Sequence, residues 1–325
     1  LTDTPSDATL SGRQFSGRFV FVYPSIRHPG ACLRFKFKLL TWREMTAFAG
    51  RRHPSRPVSW LVDYKTRLSM GSFLNQSTLH AAKASLPPDG HAFWQGIDDP
   101  LTPAGFRTLL DEYPSLEHFE KHEGLPRGNG QRPHDRYYLG YKVSRYHPPG
   151  YRGPGIVFPE DLPASWRRFL EEIEGRDYRE FLSDILETNK FSLRCAWHMG
   201  MSGAEVSPHR DTMRKLSIHL FYFNAPEVWR ADWGGDLLIL KDCRVDRENP
   251  DFNDFREVIP VSAVGNRSAL CRNGLDAWHG VKPLDCPEGQ YRRLFTVIAM
   301  VPDGVKRKLL LRARRLFGVG SESEA

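Results

Sequence analysis

The spacing of apolar residues changes character near residue 190. Before that point the clearest pattern is helical. Trp166, Phe169, Leu170 and Ile173 recur at three- and four-residue spacing, and so do Phe181, Leu182, Ile185 and Leu186. Such spacing gathers each set on one helix face, so two helices are predicted over 163–189, their stripes packed against a sheet. After residue 190 the period shortens to that of extended chain. Strands are predicted at 192–198, 215–223, 236–240, 256–261, 267–272, 277–281 and 293–301, separated by turns containing Gly, Pro and Asn. Many short strands behind helices predict a β barrel or sandwich with a helical buttress.

The first half is less regular. Gly17–Tyr23 and Cys32–Leu39 read as strands around a Pro29-Gly30 turn. Thr41-Trp42-Arg43-Glu44 has the form of a capping box opening a short helix to about Gly50. Residues 51–60 read as loop, and a helix over 70–86 is ended by Pro87-Pro88. From 87 to 160 the chain reads as loop, with short helices near 103–112 and 115–121. Arg127–Arg136 is the most flexible-looking piece and marks a domain or lid boundary. His134 and Asp135, being adjacent, would point to opposite faces and are expected at the surface; His122 and His147 are expected there or in local hydrogen bonds. Residues 305–317 form a basic amphipathic helix candidate that packs back on the body or touches a membrane surface. The expected organisation is an N-terminal α+β region with loops shaping the substrate pocket (1–150), supporting helices (151–189), a core (190–302), and a basic helix and tail (303–325).

Composition narrows the class. Of 325 residues, 40% are apolar and 12% aromatic, which supplies a core and excludes a chain disordered throughout. No apolar run reaches membrane-spanning length, and the polar start lacks the apolar segment of a secretory signal. The five cysteines are scattered, with no Cys-x-x-Cys pair, which argues against a disulfide framework or a Cys-ligated zinc site. A reducing cytoplasm is the expected compartment. The net charge of +7 admits nucleic acid, anionic lipid or an acidic substrate, and a solvated basic surface is the simpler account.

Candidate chemistry sits at Ser207-Pro208-His209-Arg210-Asp211, which contains the only His-x-Asp in the chain. Side chains two apart on extended chain share a face, so His209 and Asp211 can reach one metal ion. Taken alone, the pair is as readily a turn in which Asp211 caps an amide. Much later come Trp278-His279-Gly280-Val281 and then Tyr291-Arg292-Arg293-Leu294-Phe295-Thr296-Val297. Two His and one carboxylate, with coordination positions left open, form the facial triad of non-haem Fe(II) oxygenases.

The order of these pieces resembles the Fe(II)/2-oxoglutarate-dependent dioxygenases, most nearly their prolyl-hydroxylase-like branch. The resemblance covers residues 190–301 and includes the strand Leu216–Asn224, the turn Trp233-Gly234-Gly235-Asp236-Leu237 and His279-Gly280-Val281-Lys282-Pro283. It implies a double-stranded β-helix, or jelly-roll, with Fe(II) held by His209, Asp211 and His279. It also implies 2-oxoglutarate as cosubstrate, O2, and ascorbate as an accessory. The implied reaction is hydroxylation of an unactivated C–H bond in a small molecule or a protein or peptide side chain, with release of succinate and CO2. An arginine should meet the distal carboxylate of 2-oxoglutarate, because a guanidinium gives it two parallel charge-assisted hydrogen bonds. On the last strand Arg292, Leu294, Thr296 and Ile298 share one face, and Arg293, Phe295, Val297 and Ala299 the other. Periodicity does not choose between Arg292 and Arg293; the family pattern favours Arg292, with Thr296 as a nearby hydroxyl.

The chain departs from that pattern at Leu294, where many relatives carry Ser, and in a longer gap around Asp285-Cys286-Pro287-Glu288-Gly289. The presence of Asp211 disfavours a halogenase. Ile298 stands where the nucleic-acid demethylase branch carries a second Arg, so nucleic acid is not an expected partner. Two rivals stay open: a zinc hydrolase using the same ligands, with no Glu evidently placed as base, and a non-catalytic jelly-roll binding protein. Gly234-Gly235 is assigned to the backbone turn alone. Tyr222 and its neighbours Phe221 and Phe223 are read as core and pocket wall. His198 and His219 are read as either pocket lining or satisfied core histidines. Arg127–Tyr151 is expected to cover the mouth, where Arg127, Arg132, Arg136 and Arg145 either meet an anionic substrate or stay solvated. Substrate and oligomeric state stay open.

Overall fold

The computed structural model describes residues 19–22, 37–40, 71–86, 91–126, 131–302 and 304. The chain divides into two compact units, Leu1–Met70 and Gly71–Ala325. In the first, β1 (Phe19–Val22) pairs antiparallel with β2 (Phe37–Leu40), overlapping the two strands expected there. The expected capping box at 41–44, the loop at 51–60, Pro87-Pro88, Arg127 and the basic helix at 305–317 lie outside the described residues.

The second unit opens with α1 (Gln76–Ala84), capped by the Asn75 side chain, which accepts from the Thr78 amide at 3.3 Å. After β3 (Phe93–Asp98) comes α2 (Pro103–Asp111), with Thr102 as its N-cap and proline in its first turn. There follow β4 (Glu120–Leu125), β5 (His134–Tyr141) and β6 (Ile156–Val157), then the two expected helices, α3 (Ala164–Glu174) and α4 (Arg176–Leu186). The remaining strands are β7 (Ser192–Gly200), β8 (Val206–His209), β9 (Lys215–Tyr222), β10 (Leu237–Cys243), β11 (Phe255–Val261), β12 (Arg267–Arg272), β13 (His279–Val281) and β14 (Arg292–Met300).

These strands form two sheets. The larger runs β3-β12-β9-β14-β7-β5-β4 and the smaller β11-β10-β13-β8. From β7 to β14 the chain crosses between sheets at nearly every connection, with only β10 and β11 consecutive in one sheet. This is the double-stranded β-helix expected from the sequence.

The stretch 87–160, expected to be mostly loop, instead supplies strands to both edges of the larger sheet. β3 pairs with β12, β5 with β7, and β4 with β5. The sequences FWQGID and EKHEGL do not alternate apolar and polar residues, so they carry no period-two signal. Their pairing is decided by distant partners. The helix expected at 115–121 is a single turn, Leu116–His118, and the chain is extended again from Glu120. The piece expected to be most flexible, 127–136, enters β5 at His134.

The helices bury their stripes against the outer face of the larger sheet. Trp166, Phe169, Leu170 and Ile173 are fully buried. The Phe295 ring lies 5.4 Å from Trp166, 5.6 Å from Phe169 and 5.0 Å from Trp197. The Trp166 indole N–H donates to the Leu109 carbonyl at 3.2 Å, tying α3 to α2. Because Phe295 and Val297 of β14 fill this outer layer, Arg292, Leu294 and Thr296 must face inward. Among the described residues, Cys195, Cys243, Cys271 and Cys286 are unbridged, and no helix is long and apolar enough to cross a membrane.

His219 resolves one of the open readings: it is a satisfied core histidine. Its side chain is 0% exposed, with Nδ1 2.9 Å from the Tyr178 hydroxyl and Nε2 3.0 Å from Ser268 Oγ. Burial lowers its pKa from 6.5 to about 3. The folded state therefore keeps His219 neutral while the unfolded chain binds a proton below pH 6.5. Between pH 6.5 and about 3 acid favours unfolding, by up to roughly 1.4 kcal/mol per pH unit from this group. A His219→Gln variant, which cannot protonate, is expected to show a shallower loss of stability over that window in urea titrations. A slope equal to wild type would contradict the assignment.

Candidate functional site

His209 and His279 meet because β8 and β13 are antiparallel neighbours and these residues are directly paired. Paired residues point to the same side, and the two rings lie 4.2 Å apart. Each ring is fixed by its own strand. His209 Nδ1 is 3.0 Å from the Ser207 carbonyl, and His279 Nδ1 is 3.0 Å from the Ala277 carbonyl. A carbonyl only accepts, so both Nδ1 atoms carry the proton and each Nε2 keeps a lone pair. Asp211 follows β8 by two residues and turns the same way. Its Oδ2 is 3.7 Å from His279 Nε2, and one ligand atom from each of His209, Asp211 and His279 falls within 4.8 Å of the others. Arg210, between them, points outward; it donates to the Leu275 carbonyl at 2.9 Å and lies over Trp278.

Residues without a sequence signal complete this end. Asn273 donates to the carbonyls of Asp211, Thr212 and Lys215, holding the turn that carries Asp211. Lys215, one helical turn's length on, ion-pairs with Asp211 Oδ1. Burial works to raise the Asp211 carboxyl, but Lys215, His279 and His209 outweigh it and hold it well below the usual range. Trp94, from a stretch expected to be loop, lies 4.5 Å from the His279 ring and donates its indole N–H to the Ala277 carbonyl at 3.3 Å.

The three residues open into a cavity of about 170 Å³, whose inner wall includes Arg292, Leu294 and Thr296. The structure thereby separates the two arginines that periodicity left equivalent. Arg292 is 7% exposed and faces the cavity, whereas Arg293 lies on the other face, over the Tyr113 ring. Asn224 sets this register: its side chain accepts from the Arg293 amide at 2.9 Å and donates to the Tyr291 carbonyl at 3.0 Å.

Arg292 Nε donates to the Gly235 carbonyl, and the guanidinium lies 5.3 Å from the Tyr222 ring centre. Gly234 and Gly235 both have positive φ, as the turn reading requires, but Gly235 does more. A Cβ there would stand 3.1 Å from Arg292 Cδ, so its bare backbone makes room for the arginine. Two buried groups here, Arg292 Nη2 and the Tyr222 hydroxyl, lie against each other and have no other hydrogen-bond partner. Burial lowers the Arg292 pKa, with Tyr222 and Asp236 working the other way. A buried guanidinium and hydroxyl satisfied only by each other have donor capacity left that suits an incoming acceptor.

Thr296 Oγ1 donates to the Ala196 carbonyl at 3.1 Å and sits 3.4 Å from His198 Nε2. His198 lines the cavity. Burial, then Arg136, Arg145, His134 and Arg292, push its pKa well down, so it is neutral. His134, expected at the surface, is buried and also lines the cavity, because β5 is an inner strand between β7 and β4. His122 and His147 do make a local cluster, both reaching Glu120 Oε2, at 3.3 and 2.6 Å. Of the arginines expected near the mouth, Arg136 and Arg145 line the cavity, while Arg132 is taken up by Glu205 and Asp251 at 2.5 and 2.7 Å.

No family model and no curated protein matches the chain. Solved structures are similar to it. A Pseudomonas putida prolyl-4-hydroxylase is 16% identical with a TM-score of 0.45, covering 69% of this chain and 99% of that one. A Trichoplax adhaerens prolyl hydroxylase, solved with a hypoxia inducible factor oxygen degradation domain peptide fragment, is 14% identical with a TM-score of 0.44, covering 79% and 97%. The non-heme alpha ketoglutarate dependent epimerase SnoN from nogalamycin biosynthesis is 11% identical with a TM-score of 0.42, covering 77% and 92%. The His209, Asp211 and His279 cluster has the two-His, one-carboxylate composition of a facial triad that can hold a metal ion.

Proposed function

We propose that the chain is an Fe(II)- and 2-oxoglutarate-dependent oxygenase that hydroxylates an unactivated C–H bond. One observation supports this reading: a single cavity holds both a two-His, one-carboxylate cluster and a buried arginine that makes no ion pair among the described residues. The donor set fits a divalent iron. Two neutral imidazoles and one carboxylate leave coordination positions for a cosubstrate and O2. When bound, iron with 2-oxoglutarate and O2 supplies the oxidising power that breaks the C–H bond, leaving succinate and CO2. His209, Asp211 and His279 would hold the metal, with the Ser207 and Ala277 carbonyls fixing both ring tautomers. Arg292 and Tyr222 would donate to the distal carboxylate of 2-oxoglutarate. Ile218, Leu220, Leu237 and Leu284 line the walls and exclude water. In this reading residues 190–302 are the catalytic core, 151–189 its support, and the region before them shapes the pocket.

The zinc-hydrolase alternative needs a general base. Glu205 lines the cavity, but Arg132 holds it at 2.5 Å. Purification with and without air, followed by metal analysis and an assay of 2-oxoglutarate-dependent succinate formation, separates the readings. Tightly bound zinc without 2-oxoglutarate turnover would overturn the oxygenase.

Trp94 gives a further expected result. Its N–H and the His279 Nδ1–H share the Ala277 carbonyl, so Trp94→Phe keeps the ring and removes one of the two donors. Metal affinity is expected to fall by less than the roughly tenfold that follows loss of a ligand's own outer hydrogen-bond partner, because the Ala277 carbonyl that holds His279 remains. An anaerobic Fe(II) titration reads this directly, and wild-type affinity would show that the indole only packs.

A further inference from the structure

A second pair of cations stands at the cavity, unused by the proposed oxygenase: Arg145 on its wall and Arg194 close to Arg145 behind the lining. Antiparallel pairing places Arg194 of β7 directly across from Ile298 of β14, on the inward face shared with Arg292. From Arg292 to Ile298 the strand spans about 20 Å, so a five-carbon diacid held at Arg292 cannot reach Arg194. Arg145 stands on the cavity wall, and its charge is felt with that of Arg194 at Lys215 and at the Tyr138 hydroxyl.

The carboxylates of this cavity are already engaged. Asp211 is paired with Lys215, Glu205 with Arg132, and Asp135 accepts the Gly124 amide at 2.7 Å. Among the described residues neither Arg145 nor Arg194 has a carboxylate partner. The Arg145 guanidinium lies 5.3 Å from the Tyr146 ring centre, and the Arg145 backbone hydrogen-bonds the Tyr138 hydroxyl. Arg194 Nη2 meets Met300 Sδ at 3.6 Å. Tyr146 is itself anchored, because Arg136 donates to its hydroxyl and lies 5.5 Å from the ring centre. The result is a built aromatic and guanidinium wall beside the metal end. Two like charges close together, with only the already paired Asp211 carboxylate felt at Arg145, are held at a cost that an oxyanion would relieve.

Resting on the oxygenase reading, we propose that the primary substrate is a small molecule bearing a carboxylate or phosphate group. Arg145 and Arg194 take that group at the end of the cavity remote from Arg292. The anion then orients the rest of the molecule toward His209, Asp211 and His279. A neutral peptide side chain would leave both arginines unmatched.

Binding of benzoate, phenyl phosphate and the neutral benzamide to the metal-free 325-residue chain tests this by calorimetry, without turnover. One or both anions are expected to bind, and benzamide about tenfold or more weaker, the loss expected of one charge-assisted hydrogen bond. The stronger anion identifies the headgroup chemistry. Arg145→Gln and Arg194→Gln should each lower anion affinity about tenfold, with Arg145→Lys recovering part of it. The proposal is overturned if neither anion binds at millimolar concentration, or if both Gln variants bind as wild type. It is equally overturned if Arg292→Gln alone abolishes anion binding, since the probe would then occupy the cosubstrate end. Failure of the oxygenase reading shows separately, as absence of 2-oxoglutarate-dependent succinate formation by the wild-type protein.

Discussion

Replacing His209 or His279 by alanine is expected to abolish Fe(II)-dependent succinate formation. Each change removes one of three ligand atoms that converge within 4.8 Å, and each His faces the other across one strand pair. The loss in metal affinity should exceed the roughly 10–100-fold that follows removal of an outer-shell partner. Asp211→Ala should also end hydroxylation while keeping some metal, because both imidazoles remain fixed by their strand carbonyls. Anaerobic Fe(II) titration and succinate release are the two readouts, with thermal unfolding as a check that β8 and β13 stay paired. A His209→Ala protein with wild-type iron affinity and turnover would sink the assignment of this cluster as the metal site.

The site was only partly visible along the chain. The helical stripes at 166–173 and 181–186 were legible because local spacing alone decides which face is buried. The strands from 192 onward were legible for the same reason, apart from Val206–His209, whose short run around Pro208 gives no alternation. The His209–Asp211 spacing put two side chains on one face, but the approach of His279 depends on strands far apart in sequence. No local pattern reports such a pairing. Trp94, Asn273 and Lys215 were missed for that reason: each acts through a contact with a distant or turned segment. The Gly234-Gly235 turn was read correctly as backbone, yet its contact with Arg292 spans 57 positions. The choice between Arg292 and Arg293 needed the outer layer. It is the burial of Phe295 against Trp166 and Phe169 that turns Arg292 inward.

That inward arginine carries the other large expected effect. In the proposed enzyme, Arg292→Ala leaves the distal carboxylate of 2-oxoglutarate desolvated without its cation. Breaking a buried ion pair in this way costs about 3–5 kcal/mol. At 1.4 kcal/mol per tenfold, the 2-oxoglutarate requirement should rise by roughly two to four orders of magnitude. Iron affinity should be spared, since His209, Asp211 and His279 lie on β8, its following turn and β13 rather than on β14. Arg292→Lys should fall between, because an ammonium keeps the charge but cannot bond the carboxylate with two parallel N–H groups. Arg293→Ala removes a cation from the opposite face, over Tyr113, and should leave the 2-oxoglutarate requirement unchanged. Truncation also leaves the Gly235 carbonyl without its donor and empties the space beside Tyr222, so unfolding of each variant must be followed in parallel. The decisive comparison is between the two arginines. If Arg293→Ala raised the requirement and Arg292→Ala did not, the cosubstrate would sit on the other side of β14, and the buried Arg292 beside Tyr222 would need a different acceptor.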